Sequence, residues 1–234
     1  MNVGAIIFSR TDSKRLPGKA LIDINGKSLL ERVIERTKKI QGVNKIVVAT
    51  TNRDIDNEIE SISLKNNVLV YRGSLNNVVL RALNACKKYN LKKFVRICGD
   101  RPLFDPFLIS KLLKTHNSKK YDLVTTMYPK TLPAGLTVEI LNFEVLQKIH
   151  NSNKDSNSNE HISKYIYDNP QKFSIKNHIE IEYENLKHLR FVVDTKEDLA
   201  RTKWVINEMK KKKLSLYNMR SIVSHTEQWN KINN

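Results

Sequence analysis

Arg10, Ser13, Arg15 and Lys19 lie in the stretch SRTDSKRLPGK, Ser9 to Lys19, together with Lys14 and a Pro-Gly turn. Four cations and free backbone amides therefore gather between an apolar run, Val3 to Phe8, and an amphipathic segment. Oriented amides and helix N-termini attract anions, and full positive charges strengthen that field, so the chemistry these residues suit is the grip of a polyphosphate. A solvated basic loop is the plainer reading of the same residues. Two familiar phosphate motifs are excluded: a P-loop needs Gly six positions before its Lys and Ser or Thr directly after it, and here Ser13 and Ala20 stand there. A dinucleotide fingerprint fails as well, because Gly4 opens the strand and no G-x-G-x-x-G follows.

Further polar residues follow other apolar runs: Thr50, Thr51 and Asn52; Arg72, Gly73 and Ser74; Gly99, Asp100 and Arg101; Asp194 and Thr195. Asp100 and Asp194 are carboxylates that would end strands of one sheet near the cationic loop. Hard oxygen ligands beside phosphate are what Mg²⁺ requires, since it takes one or two carboxylates plus substrate oxygens and keeps several waters. Capping the next helix is the alternative use for each Asp, most directly for Asp194, which precedes a helical segment.

The elements that must position these residues alternate. Strands are predicted over Val3 to Ser9, Lys45 to Thr51, Val68 to Tyr71, Phe94 to Ile97 and Leu123 to Met127, with helices over Ser28 to Ile40, Ile55 to Leu64, Val78 to Tyr89 and Phe107 to Thr115 between them. Repeated βα units with nearly continuous apolar strands imply an α/β fold with a doubly wound, mainly parallel, Rossmann-like sheet covered on both faces. Its ligand site belongs beyond the carboxyl ends of the strands, where the polar residues above fall. From about Pro129 to Lys187 the rhythm changes. Strand Leu136 to Leu141, helix Phe143 to His150, the polar loop Asn151 to Asn159, helix Glu160 to Tyr167 and a strand near Phe173 to Ile179 read as an inserted arm. Strand Leu189 to Val193 and helix Lys196 to Lys211 restore the pattern, and an amphipathic helix, Leu216 to Trp229, docks on the body or on a second subunit.

At 234 residues, 40% hydrophobic and 28% charged, the chain suits one globular domain. No apolar run approaches the ~20 residues of a membrane span, and Arg10 interrupts the N-terminal run before any secretory cleavage pattern, so a cytoplasmic protein is expected. Cys86 and Cys98 give neither a zinc-ligand pair nor a disulfide framework. A net charge of +17 raises nucleic-acid binding as a function class. The excess is spread along the chain, with one compact run, Lys210 to Lys213, at a predicted helix end where lysines suit the dipole. No RRM or zinc-finger spacing accompanies it, so nucleic acid is not the expected partner.

RTDSKRLPGKAL, DINGKSLLERVIERTKK, VVATTNRDID, YRGS, RICGDRPLFDP, PAGLTVEI, EHISKYI and VVDTKEDL occur in this order across nearly the whole chain. As a set they resemble the CMP-sugar synthetases, cytidylyltransferases that include the acylneuraminate and 3-deoxy-manno-octulosonate enzymes. The likeness is strongest to the spore-coat polysaccharide branch, whose run R-I-T-G-D-C-P-L-I-D-P stands where this chain has RICGDRPLFDP. The resemblance implies a fold of the nucleotide-diphospho-sugar transferase type and transfer of CMP from CTP to a sugar for surface polysaccharide synthesis, with release of pyrophosphate. It further implies Arg10 and Lys19 on the triphosphate, with Ser13 and Arg15 shaping the loop, and Asp100 and Asp194 on Mg²⁺. Thr50, Arg72 and Ser74 would lie near the cytidine. Gly135, Glu139, Glu160 and His161 would serve the acceptor, expected to be a nonulosonic or other 2-keto-sugar acid, and the arm would make a homodimer. Lys130, Arg101 and Lys164 are the cations considered for the acceptor's carboxylate. Departures from the branch pattern are Ser9, Asn76, Asn77 and Arg101. A glycosyltransferase using a nucleotide-sugar donor and a basic nucleic-acid-binding protein are the competing readings.

Overall fold

The computed structural model describes residues 2–118, 121–152 and 162–233. Strands β1 (Val3–Phe8), β2 (Lys45–Thr51), β3 (Leu69–Gly73), β4 (Lys93–Cys98), β5 (Leu123–Thr125), β6 (Glu139–Asn142) and β7 (Ile175–Asn177) form one sheet in the order β3-β2-β1-β4-β6-β5-β7. Neighbours β3, β2, β1 and β4 are parallel, and the register sets Phe8 opposite both Ala49 and Cys98. The strand ends that carry the polar residues therefore lie along one edge. β6 runs antiparallel to β4 and β5, while β7 returns parallel to β5.

Strand residues alternate between two buried faces, as a doubly covered sheet requires. Ala5, Ile7, Val48, Val95, Ile97, Val124 and Ile140 pack on one side with α1 (Leu29–Thr37), α2 (Asn57–Lys65), α4 (Pro106–Ser118), α7 (Lys196–Lys211) and α8 (Met219–Asn233). Ile6, Val47, Ala49, Phe94, Leu123 and Leu141 pack on the other with α3 (Val78–Tyr89), α5 (Phe143–Ser152) and α6 (Lys164–Asp168). The starts of α1, α3 and α7 are fixed by side-chain caps. Ser28 accepts from the Glu31 amide at 3.2 Å while Glu31 accepts from the Ser28 amide at 2.7 Å, so the loop ahead of α1 ends at a defined residue. Asn77 caps α3 and Thr195 caps α7, both close to the polar strand ends.

The structure departs from the sequence expectations at several places. Leu189 to Val193 is not a ladder strand. Arg190 makes one isolated bridge to Ala134, and the Phe191 and Val193 amides donate to the carbonyls of Ala134 and Asp100 at 2.7 and 2.8 Å. Its partners are loops, yet Leu189, Phe191 and Val193 are all buried, which is the alternation that suggested a strand. The segment expected as an inserted arm, 129–187, contributes two strands to the sheet: β6 sits between β4 and β5, and β7 extends it beyond β5. The expected strand Leu136 to Leu141 begins only at Glu139. Of the loop Asn151 to Asn159 and the helix Glu160 to Tyr167, positions 153–161 lie outside the described residues; α6 begins at Lys164. Among the described residues no helix is long and apolar enough to cross a membrane.

Candidate functional site

The loop after β1 turns back on itself before re-entering the core. Thr11 is the pivot: its carbonyl accepts from the Ser13 and Gly18 amides, both at 2.9 Å, so those two amides are used within the loop. Leu16 is buried, anchoring the far side. Gly18 adopts φ 68, a left-handed conformation that side chains disfavour, and this sends the chain into a short 3₁₀ turn beginning at Lys19.

A clasp from the second βα turn holds the loop from outside. Asp56 is fully buried; it accepts the Thr11 amide at 2.8 Å, the Thr51 hydroxyl, and Arg53 Nη2 at 3.3 Å. Burial disfavours its charge, but Thr51, Thr11 and Arg53 outweigh that and keep its pKa below the ordinary carboxylate value. Arg53 Nη1 also reaches Asp12 at 2.7 Å, and Asp12 pairs with Arg10 Nε at 3.3 Å. Asp56, Arg53 and Asp12 thus form a chain of contacts ending on Arg10. Sequence reasoning missed them because nothing in VVATTNRDID marks which acid turns inward; the polar turn after a buried strand was the available signal.

Lys19 draws the two predicted acids together. Its Nζ lies 3.0 Å from Asp100 Oδ2, 2.8 Å from Asp194 Oδ1 and 3.2 Å from the Val193 carbonyl. Burial lowers the affinity of Lys19 for its proton, yet Asp100 and Asp194 more than offset this, so its pKa rises above the ordinary lysine value. Asp194 shows the counterpart: burial opposes its charge, and Lys19 with Arg15 still holds the carboxyl below the usual range. Arg15 contacts the other oxygen of Asp194. Capping does not account for Asp194, since the α7 cap is Thr195, whose side chain accepts from Asp198 in a capping box. Val193 donating to the Asp100 carbonyl fastens the two acid-bearing segments to each other.

Above this cluster opens a cavity of about 650 Å³, lined by Arg10, Ser13, Lys14, Arg15, Lys19, Asp100 and Asp194 together with Phe8, Val78, Arg81, Arg96 and Cys98. Arg81 of α3 was not singled out by sequence reasoning. It is 4% exposed, its Nη1 donates to the Ser74 carbonyl at 2.6 Å, and it has no acidic ion-pair partner among the described residues. Burial and the charge of Arg10 together lower its pKa to about 10, which marks a desolvated cation close to another cation at the cavity. An anion between them relieves both costs.

Other predicted residues stand elsewhere. Arg72 does not line the cavity; it donates to the Thr51 and Arg53 carbonyls at 3.0 and 2.7 Å and to Asn57 and Glu60 at 2.6 and 2.7 Å, tying β3 to α2. Ser74 Oγ accepts the Asn77 amide at 3.1 Å, shaping the start of α3. Thr50 is fully buried with its hydroxyl unpartnered. Gly135, at φ 99, meets the Phe191 backbone, where a Cβ would come within 2.5 Å of the carbonyl carbon; its role is close packing, not contact with the cavity. Glu139 is 5% exposed and bonded to Arg96 and, at 2.8 Å, to Tyr167. Glu160 and His161 lie outside the described residues. Arg101 donates to the Thr137 carbonyl and hydroxyl, both at 2.9 Å, and so leaves the cavity to its neighbour Asp100.

Among the described residues no cluster of three or more His, Cys, Asp or Glu could hold a metal. The donor set suits Mg²⁺ all the same: two carboxylates already close on one cation, and that ion needs no more than this from a protein when phosphate oxygens and water complete its shell.

Comparison with known proteins gives this geometry a setting. A family model described as cytidylyltransferase matches residues 4–225. A solved structure of a cytidylyltransferase from Leptospira borgpetersenii superposes with a TM-score of 0.89 at 31% identity, covering 100% of this chain and 95% of that one. An uncharacterised protein of Methanocaldococcus jannaschii is 36% identical over 85% of this chain and 80% of its own length. The spore coat polysaccharide biosynthesis protein SpsF of Bacillus subtilis is 27% identical over 82% of this chain and 81% of its own.

Proposed function

This chain belongs to the cytidylyltransferase family, and from that premise we propose that it transfers CMP from CTP to a hydroxyl of a sugar acid, releasing pyrophosphate, in the synthesis of a surface polysaccharide. The observation that carries the reading is the convergence of Asp100 and Asp194 on Lys19 at the floor of a cavity walled by the basic loop. A triphosphate fits the charge pattern: Arg10, Lys14, Arg15 and Arg81 all line the cavity.

In the reaction a sugar oxygen forms a bond to the α-phosphorus as that phosphorus loses the oxygen bridging it to the β-phosphate, which departs with pyrophosphate, and the hydroxyl proton passes to water. Such a displacement needs in-line placement and neutralisation of spread negative charge more than it needs a covalent helper. Arg10, Arg15 and Arg81 would grip the non-reacting phosphates, and Lys19, fixed by both acids, would neutralise charge near the reacting one. Asp100 and Asp194 would hold Mg²⁺, which supplies charge neutralisation and phosphate orientation when bound. The clasp of Asp56, Arg53 and Asp12 would keep Arg10 and the loop in place, so less ordering remains when substrate arrives. A cytoplasmic setting and a homodimer accompany this reading.

The test is pyrophosphate release from CTP, UTP, ATP and GTP with Mg²⁺ and a panel of sugar acids, beside thermal shifts for each nucleotide. The reading expects acceptor-dependent release with CTP leading. Hydrolysis of a nucleotide sugar without pyrophosphate formation would favour a glycosyltransferase instead, and oligonucleotide binding with a steep salt slope and no turnover would favour a nucleic-acid module.

A further inference from the structure

Arg96 occupies a position that the fold would ordinarily give to an apolar residue. It lies on β4 between Phe94 and Cys98, opposite Ile6 of β1, on the sheet face formed by Val47, Ala49, Phe94, Leu123 and Leu141 beneath α3 and α5. Its charge is balanced by Glu139 of β6, whose side chain is 6% exposed. Glu139 in turn accepts the Tyr167 hydroxyl at 2.8 Å, and that hydroxyl lies 2.9 Å from Thr125 Oγ1. Burial opposes the charge of Glu139, and Arg96, Ser163 and Tyr167 overcome it, holding the carboxyl ionised below its usual range. A buried ion pair of this kind seldom stabilises a protein more than an apolar pair of equal volume, so stability alone leaves it unexplained.

Only one end of the network meets the cavity. Arg96 lines it, with 19% of its side chain exposed, whereas Glu139 and Tyr167 stand behind. Glu139 engages Nη1, and Nε is buried without a partner, so the guanidinium is fixed from the rear. β4 is also the seam of the sheet: the phosphate loop follows β1 on one side, and β6, β5 and β7 lie on the other. The cation thus lines the cavity from the strand that separates the loop-bearing β1 from β6, β5 and β7. None of Arg101, Lys130 and Lys164 lines the cavity; Thr137 holds the first and Asp168 the last.

We propose that Arg96, held by Glu139 and Tyr167, anchors a carboxylate of the acceptor and selects a sugar acid over neutral or phosphorylated sugars. With Nη1 on Glu139 and Nε buried, the remaining N–H groups of the guanidinium donate a charge-assisted bond to one carboxylate. Glu139 offsets much of the Arg96 charge, so the site suits a monoanion better than a dianionic phosphate, whose desolvation costs more. The inference rests on the proposed cytidylyltransferase reaction for its acceptor, yet its test is a binding measurement that needs no turnover.

Calorimetry is run with N-acetylneuraminic acid and 3-deoxy-manno-octulosonic acid, their methyl esters, glucose 1-phosphate and N-acetylglucosamine on the wild-type chain, Arg96→Lys and the neutral pair Arg96→Gln with Glu139→Gln. The Lys variant keeps a partner for Glu139, and the double variant leaves no buried charge unpaired, so both retain the fold by their denaturation midpoints. The expected result is that wild type binds an acid about thirtyfold better than its ester, as a charge-assisted bond predicts, and that both variants lose this preference. CTP affinity stays within about threefold in both variants, since the loop is untouched. Equal binding of acid and ester, preference for the phosphorylated or neutral sugar, no binding of either acid, or an unchanged preference in the variants overturns the proposal. Loss of the parent reading looks different: acids bind through Arg96 while CTP releases no pyrophosphate with any of them.

Discussion

Replacing Lys19 by Met keeps an apolar stem of similar length and removes the ammonium that joins Asp100 and Asp194. Its three contacts, at 3.0, 2.8 and 3.2 Å, include two charge-assisted bonds, each contributing about 1.5–3 kcal/mol in a closed site. Asp100 and Asp194 keep 27% and 16% of their side-chain surface exposed, and Arg15 still serves Asp194, so solvent and the remaining partner reduce the loss of stability to about 2 kcal/mol. The reaction suffers more, because a preorganised charge opposite the reacting phosphate is worth about 3 kcal/mol of barrier, upwards of a hundredfold in rate. With the ammonium gone, two carboxylates are left with Arg15 on Asp194 as the remaining cation, and Mg²⁺ becomes the available second counterion. Urea unfolding with and without MgCl₂ is therefore expected to show a larger Mg²⁺ stabilisation in Lys19→Met than in wild type, alongside the loss of CTP-dependent pyrophosphate release. Equal Mg²⁺ effects on both proteins would refute the shared cation site, and turnover within about tenfold of wild type would refute the catalytic role of Lys19.

Asp56→Asn is expected to cost about 2 kcal/mol in urea unfolding, since a fully buried acceptor loses charge opposite Arg53 and the Thr51 hydroxyl, and to raise the KM for CTP more than it lowers kcat. Gly135→Ala combines φ 99 with a clash against the Phe191 carbonyl and is expected to destabilise by about 2 kcal/mol or more, read from the thermal midpoint. His116 gives a pH dependence: it is 1% exposed, and burial reinforced by Lys93, against a weaker pull from Asp122, lowers its pKa to about 4. The unfolded chain then binds more protons than the folded one between about pH 6.5 and 4, so stability falls as pH drops through that window, by about 3 kcal/mol in all. Urea midpoints across the window should show the fall, and His116→Gln should flatten it.

The cluster proposed to hold the nucleotide could be assembled from sequence because local sequence and tertiary position coincide there. Arg10 and Asp100 closely follow the buried parallel strands β1 and β4, and Lys19 closes the loop after β1, so locating the strands brought the three together. Asp194 was found for a reason only partly right. Its segment alternates and is buried, yet it pairs with loops at Ala134 and Asp100 in place of a strand, and burial rather than a ladder created the pattern. Arg72 shows the limit of strand-end logic: it ends a strand as expected but turns outward to Glu60 and Asn57, a choice set by α2 and invisible in YRGS. Arg81 and Arg96 were missed because each sits inside a regular element, where a lone cation reads as a solvated residue. Only the packed fold reveals that Arg81 presses on Phe8 and that Arg96 points along a buried sheet face.

That contrast follows from how the two halves are built. The side proposed for phosphate is made of β3, β2, β1 and β4, parallel strands whose ends must fall on one edge, so its residues are read in sequence order. The other side depends on β6 entering antiparallel between β4 and β5, which reverses direction and places Glu139, the first residue of its strand, beside Arg96 in the middle of another. No local pattern pairs a strand's start with a neighbour's interior; only the reversal does. An enzyme family can thus keep one triphosphate grip while changing acceptors, because substitutions on β6 and α6 alter what Arg96 presents to the cavity without touching Lys19, Asp100 or the loop that Asp56 holds.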